Sequence, residues 1–440
     1  MDNSCSQHIV IIGAGMAGLS SSISLLELGY KCTILEAKAQ PGGLAGNFTI
    51  SDNIFPLGYH HILANDQPLL DMIDKMKLSD LVHWKKGKVF FAVNNTIYNL
   101  ENLVDFLRFP LPIYDKVKFV LFMLMCFVKK DWSEDLGDAK QWVDSRAGVK
   151  VRKLIFDPLM NIKYGLPSDC LSANWLGSRL HYREFSKPLG YIPNTDWTHV
   201  LVDAMVDKVK SLGGVIKLES PVTSINYCDG KFKSVSYSQA NKMNNIDGVA
   251  LINTAPPHIF SSISELKDEQ LTDISYLDAL SVIMEINEKM PRDYYLLSCL
   301  SPKYSFGGIF TLSSVNEQIG VYGKTVINFF TTLSEQNEHL RNLSKEDLVK
   351  VYLDDFEKLF NFRPKPLWSK INLINNYSPR YLKGYSNPSI KSSIGGVYFA
   401  GNYRTYPLIT STGSAILSGI KAGRIVSKDI PIDQSTRDKV

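Results

Sequence analysis

Residues 8–37 read "HIVIIGAGMAGLSSSISLLELGYKCTILEA", and their order of strand, glycine turn, helix and strand decides the fold. The apolar run 9–12 suits a strand buried on both faces. Gly13, Gly15 and Gly18 form a GxGxxG motif, and residues 17–28 carry helical periodicity. The second strand, "KCTILE", ends in an acid, Glu36, near the usual spacing of about 20 residues from such a motif. Gly13 permits the tight turn, Gly15 lets the backbone approach a pyrophosphate, and Gly18 lets helix and strand pack closely. The helix N-terminus brings roughly half a positive charge to the phosphates. Glu36 can accept hydrogen bonds from a ribose and would repel a 2′-phosphate. Together these features predict an α/β, Rossmann-type dinucleotide-binding domain.

Composition narrows the class. The 440 residues are 45% hydrophobic and 21% charged, enough for a large core. A net charge of +4 without any long basic run or stripe argues against a nucleic-acid partner. Cys5, Cys32, Cys126, Cys170, Cys228 and Cys299 are scattered and contain no CxxC pair. That pattern predicts reduced thiols in a cytoplasmic protein and no zinc site. The start "MDNSCSQHIVIIGAG" lacks the basic n-region of a secretory signal, and no apolar run reaches the roughly 20 residues of a membrane span.

The next segment extends the site. "AKAQPGGLAGNF" (37–48) places a second glycine doublet, Gly42 and Gly43, directly after the acid. It resembles the corresponding segment in the superfamily of FAD-dependent amine oxidases, protoporphyrinogen oxidases and phytoene desaturases. Many of its amine oxidases have Arg where this chain has Leu44. The resemblance implies FAD, held by Gly13, Gly15, Met16, Ala17, Gly18, Glu36, Ala37, Gly42, Gly43, Leu44 and Ala45. It also implies a backbone contact to adenine at Val222 in "SPVTSI", and a stretch "NTAPP" (253–257) that closes over the cofactor. By the same resemblance the FAD-binding domain is discontinuous, spanning 1–95, 200–275 and 390–440. A mixed α+β substrate domain, 96–199 and 276–389, is inserted in it.

The C-terminal stretch "AGNYRTYPLITSTGSAILSG" (400–419) completes that expected site. Gly401 and Asn402 would meet the cofactor at the end of a strand, where most superfamily members carry Asp or Glu instead of Asn402. Ser411, Thr412, Gly413 and Ser414 start a helix whose N–H groups would face the flavin C2 carbonyl. In "FPLGYHHILAND" (55–66) the resemblance puts Tyr59 and His60 beside the isoalloxazine ring, with His60 as the titratable group. Adjacent residues of an extended segment point to opposite sides, so only one of His60 and His61 is expected to face the flavin. Arg179, Arg183, Arg380 and Arg404 lie in segments expected to border the substrate cavity, with Tyr59, Tyr403 and Tyr406 as candidate walls. The catalytic candidates are His60, Tyr59, Arg404 and Tyr406.

Two functions follow from the resemblance. The leading one is an FAD-dependent oxidoreductase, an oxidase or desaturase that takes a hydride from a small-molecule substrate. The alternative is a flavin-dependent sugar-nucleotide isomerase similar to UDP-galactopyranose mutase, carried by "LGYHHILAND" and "GNYRTY". A flavin-fold protein without catalytic activity is the third reading. "VKFVLFMLMCFVKK" (117–130) holds an apolar run with lysines on both sides. As a helix the run is about 15 Å long, too short to span a bilayer. Two readings stand for it: complete burial, or peripheral contact with one membrane leaflet.

Overall fold

In the computed structural model, which describes residues 7–182, 187–301 and 303–432, the opening apolar run forms the strand His8–Ile12. It is the central member of a five-stranded parallel sheet ordered Val215–Lys217, Lys31–Leu35, His8–Ile12, Ala250–Asn253 and Val397–Phe399. Strands from distant parts of the chain thus share one sheet; the inner strands are apolar enough to be buried between helical layers, whereas the edge strand Val215–Lys217 is partly exposed. The helix Met16–Leu26 follows the glycine turn, and nearly all of it is buried. One side of it meets the final helix, Thr412–Asp429, at very short range. A Cβ at Gly419 would lie 2.1 Å from the Ala17 carbonyl oxygen, and Ser20 Oγ donates to the Ile416 carbonyl at 3.0 Å. The small residues of both helices are what permit this approach.

A second, seven-stranded sheet is ordered Pro366–Pro379, Tyr276–Ile286, Thr325–Thr332, Gly308–Thr311, Leu296–Cys299, Val89–Val93 and Thr96–Tyr98. Its pairs are antiparallel except Leu296–Cys299 with Val89–Val93. The expected first boundary at residue 95 therefore falls too late. "VFFAV" is apolar on both faces, so Phe91 and Val93 enter one core while Phe90 and Ala92 enter another. The helix Lys345–Phe360 covers one face, N-capped by Ser344, whose Oγ accepts from the Asp347 amide. A helical layer that includes Ile113–Val128, Asp157–Tyr164 and Ala173–Tyr182 covers the other.

Complete burial of the 119–128 run is overturned. The helix Ile113–Val128 buries only Lys116, Phe122 and Cys126. Val117, Val120, Leu121, Leu124, Phe127 and Val128 are exposed, as are Leu103, Val104 and Leu107 of the adjoining helix Leu103–Arg108. An all-round apolar helix lying on a flat layer can bury only one stripe. Among the described residues, no helix is long and apolar enough to cross a membrane.

Candidate active site

A cavity of about 950 Å³ runs from the parallel sheet to the seven-stranded sheet, at the upper end of the range for small-molecule and cofactor sites. The two glycine turns form one wall. Gly13 has φ of +98°, and a Cβ there would come within 2.6 Å of Thr254 Oγ1, which donates to the Ile12 carbonyl at 2.7 Å. Gly42 donates its N–H to the Ala14 carbonyl at 2.8 Å, so the second turn is pinned against the first. A Cβ at Gly43 would lie 3.3 Å from the Gly15 Cα. Side chains on the two turns would meet Thr254 or the facing turn, so only bare backbones allow this close approach beside the cavity.

Glu36 is buried at one end of the cavity. Its Oε2 accepts from the Ala14 N–H at 2.8 Å and its Oε1 from the Lys38 N–H at 2.9 Å. One lone pair on each oxygen is thereby used to tie the first turn to the end of the second strand. Ala37, Lys38 and Val222 line the same end.

The far end is aromatic. Tyr59 stacks on Phe310 with ring centroids 3.6 Å apart and meets the edge of Phe330 at 4.8 Å. Its hydroxyl is 3.3 Å from that of Tyr377, to which Lys163 Nζ donates at 2.6 Å. His60 Nε2 lies 2.9 Å from the Leu44 carbonyl. A carbonyl only accepts, so Nε2 carries the proton. Burial lowers the pKa of this imidazole and keeps it neutral. His60 thus ties the 43–45 turn to the cavity wall. His60 and His61 both line the cavity, because the chain there is irregular and not an extended strand.

The C-terminal loop closes the middle of the cavity. Asn402 Oδ1 accepts from the Tyr276 hydroxyl at 2.7 Å, and Gly401 donates its N–H to Ser418 Oγ at 2.9 Å. Ser411 N-caps the final helix in a reciprocal capping box with Ser414. The buried Asp66 carboxylate packs directly against Gly413 in the first turn of that helix. Burial raises the Asp66 pKa, and the neighbouring Ser411 hydroxyl and the Leu69 and Gly413 amides oppose the rise. The expectation that the whole helix start faces a flavin is therefore corrected. Ser411 and Thr412 line the cavity, whereas Gly413 and Ser414 do not.

Of the other expected residues, Gly13, Gly15, Met16, Ala17, Glu36, Ala37, Gly42, Gly43, Leu44, Ala45, Val222, Gly401, Asn402, Tyr59 and Arg179 all line the cavity. Gly18 does not. A Cβ there would sit 1.9 Å from the Gly13 carbonyl oxygen, so its task is packing. Arg404 and Tyr406 are corrected as catalytic candidates, because neither lines the cavity. Arg404 Nε donates to the Pro388 carbonyl at 2.8 Å. Tyr406 pairs with Ser172 Oγ at 2.7 Å and packs on Tyr381 and Tyr385. Both side chains are partly buried against neighbours away from the cavity lining. Tyr403 is buried in the core and Arg380 also lies off the cavity; Arg183 lies outside the described residues. Sequence reading missed Lys163, Tyr276, Tyr377 and Asp66. For Asp66 a signal existed, an acid directly before the helix Gln67–Lys75. The others come from segments with no local motif.

The family described as flavin containing amine oxidoreductase matches residues 16–427. A 15-cis-phytoene desaturase of an Oncidium hybrid cultivar is 23% identical over 466 residues, covering 96% of this chain and 78% of the relative. The crystal structure of a putative protoporphyrinogen oxidase from Exiguobacterium sp. 255-15 superposes with a TM-score of 0.76 at 17% identity, covering 96% of this chain and 99% of that one. Reduced UDP-galactopyranose mutase gives 0.75 at 15% identity, covering 98% and 97%. The last two likenesses show a shared fold.

Proposed function

We infer the function of this chain from the family to which it belongs, the flavin-containing amine oxidoreductases, and from the chemistry of its cavity. It is a flavin-dependent oxidoreductase. The finer reading is that the flavin is FAD and that the substrate, oxidised at a C–H bond, occupies the aromatic end of the cavity. The observation that carries this reading is one continuous cavity joining two abutting glycine turns and a buried acid to an aromatic chamber. Gly13, Gly15, Met16, Ala17, Gly42 and Gly43 would hold the pyrophosphate. Glu36 and Ala37 would hold the ribose, with Val222 at the adenine. Leu44, Ala45, Gly401, Asn402, Ser411 and Thr412 would hold the flavin half.

Bound FAD would supply a hydride acceptor for the substrate C–H bond, leaving an imine or a new double bond. The chain's own residues bind and orient. The stacked pair Tyr59 and Phe310 gives a rigid wall that excludes water and fixes the substrate plane. His60 fixes the turn at Leu44. The bond from Tyr276 to Asn402 sets a neutral hydrogen-bonding pair where a carboxylate would add charge. No side chain is required as a base. The isomerase alternative rests on "LGYHHILAND" and "GNYRTY"; that Arg404 and Tyr406 of the second do not line the cavity favours the oxidoreductase reading over it.

The test is anaerobic spectroscopy of the purified protein against amine, polyprenyl and UDP-sugar candidates. Bleaching of bound FAD by an amine or polyprenyl compound supports the reading. Purified protein that neither carries nor binds a flavin, or turnover of a UDP-sugar without net redox change, sinks it.

We also propose that the exposed side of Ile113–Val128 rests on one leaflet of a membrane. Its apolar side chains form a continuous strip with Leu103, Val104 and Leu107. Exposed Arg108 and Lys130 and partly exposed Lys118 border it, a charge pattern that complements anionic headgroups.

A further inference from the structure

Three side chains at the aromatic end of the cavity are joined by hydrogen bonds. Lys163, 9% exposed, donates from Nζ to the Tyr377 hydroxyl at 2.6 Å and lies 4.2 Å from the centroid of the same ring. The Tyr377 hydroxyl is in turn 3.3 Å from that of Tyr59. All three residues line the cavity. They come from the helix Asp157–Tyr164, the strand Pro366–Pro379 and the irregular segment 57–61. Ring contacts hold both phenols in place: Tyr59 lies between Phe310 and Phe330, and Tyr377 meets Phe330 at 4.9 Å.

The protons available give this chain a free end. An ammonium donates and does not accept, whereas a phenol has one proton to give and two lone pairs to receive. Lys163 therefore takes nothing from either hydroxyl. The two phenols share one bond, so one of their two O–H groups is left over whichever of them donates. Among the described residues no acceptor takes it. Burial holds the Tyr377 phenol well above its ordinary pKa, and Tyr59 beside it adds to the rise, so Tyr377 keeps its proton. Each bond strengthens the next when the chain runs outward from the ammonium, from Lys163 to Tyr377 and from Tyr377 to Tyr59. In that direction the spare O–H belongs to Tyr59.

We propose that Tyr59 is the terminal donor of this chain and binds an oxygen of the substrate, a carbonyl or a hydroxyl, at the aromatic end of the cavity. Tyr377 and Lys163 act through it, as positioning residues that orient and polarise its hydroxyl. The inference rests on reading the cavity as the flavin and substrate site. It gives the substrate class as a molecule carrying a neutral oxygen acceptor, and it disfavours a pure hydrocarbon, which would leave the donor without a partner.

The test uses the purified full chain with its flavin content measured first. Acetophenone and ethylbenzene are similar in shape, and only the ketone has an acceptor. Both are titrated against the wild-type chain and against Tyr59→Phe, which keeps the ring and removes the hydroxyl. Binding is read by thermal shift and, where flavin is present, by perturbation of its absorbance. Tyr59→Phe is expected to weaken acetophenone about fivefold to tenfold, the worth of one hydrogen bond, and to leave ethylbenzene within about twofold. Tyr377→Phe and Lys163→Met should each weaken acetophenone by a smaller factor and again spare ethylbenzene, a split that a merely structural role would not produce. Equal weakening of the two ligands in Tyr59→Phe, acetophenone binding unchanged there, or no binding of acetophenone to the wild-type chain overturns the proposal. In a chain that holds flavin, such a failure leaves the flavin reading intact. A chain that binds no flavin yet shows the split sinks the FAD reading and leaves the donor standing.

Discussion

The Asp66 carboxylate occupies the space that a side chain at Gly413 would need: a Cβ there would lie 1.8 Å from Asp66 Oδ1. The two residues are distant in sequence, yet the buried acid lies against the first turn of the final helix, whose N-cap is Ser411. An anion at the first turn of a helix is stabilised by the exposed N–H groups and the helix dipole. Gly413→Ala must push the carboxylate out, and a loss of about 2 kcal/mol is expected. In an Asp66→Ala background the same change should cost far less. A double-mutant cycle of urea midpoints reads this coupling, and additive losses would contradict it.

Glu36 is expected to act through both oxygens. In Glu36→Gln the amide group replaces one acceptor with a donor and confronts either the Ala14 or the Lys38 N–H. The variant should lose roughly 1–3 kcal/mol of stability and release flavin more readily on dialysis. Unchanged melting temperature and flavin retention would mean that the carboxylate bonds are dispensable.

Arg404→Gln should leave KM and turnover close to wild type, since the side chain bonds Pro388 outside the cavity. Its effect should appear as a lower melting temperature. A large rise in KM with unaltered stability would return Arg404 to the substrate site.

Asp196 N-caps the helix Trp197–Ser211 from a buried position. Burial pushes its pKa up from 3.8 to about 6, against the bonds from Thr198. A raised folded-state value means a contribution fully present below pH 3.8 and lost as pH rises through 6, on the order of 3 kcal/mol. Asp196→Asn keeps the cap and removes the titration. The stability of the variant relative to wild type should therefore climb between pH 4 and pH 7 in urea unfolding. A difference independent of pH would refute the assignment.

The exposed strip on Ile113–Val128 predicts co-flotation with anionic vesicles, weakened by salt and by neutral lipid. Leu121→Glu combined with Leu124→Glu should abolish it without unfolding the chain, because both side chains are more than half exposed. Absence of flotation in the wild-type chain would remove the membrane reading.

The sequence by itself determined the first half of the site. Gly13, Gly18 and Glu36 act on neighbours a few residues away or on the adjacent strand, and such local geometry is fixed by residue type and spacing. The start of the final helix near Ser411–Ser414 was legible for the same reason, but not that these two serines cap each other. Only the tertiary structure decided which side of the 402–406 loop meets the cavity, because a one-turn helix can present either side with equal local cost. The same holds for the aromatic end of the cavity. Tyr59, Lys163, Arg179 and Tyr377 come from four separate segments, and nothing in any one of them records the others. Their meeting is set by how the helical layer and the seven-stranded sheet close on each other, a long-range packing outcome that no spacing in the chain encodes.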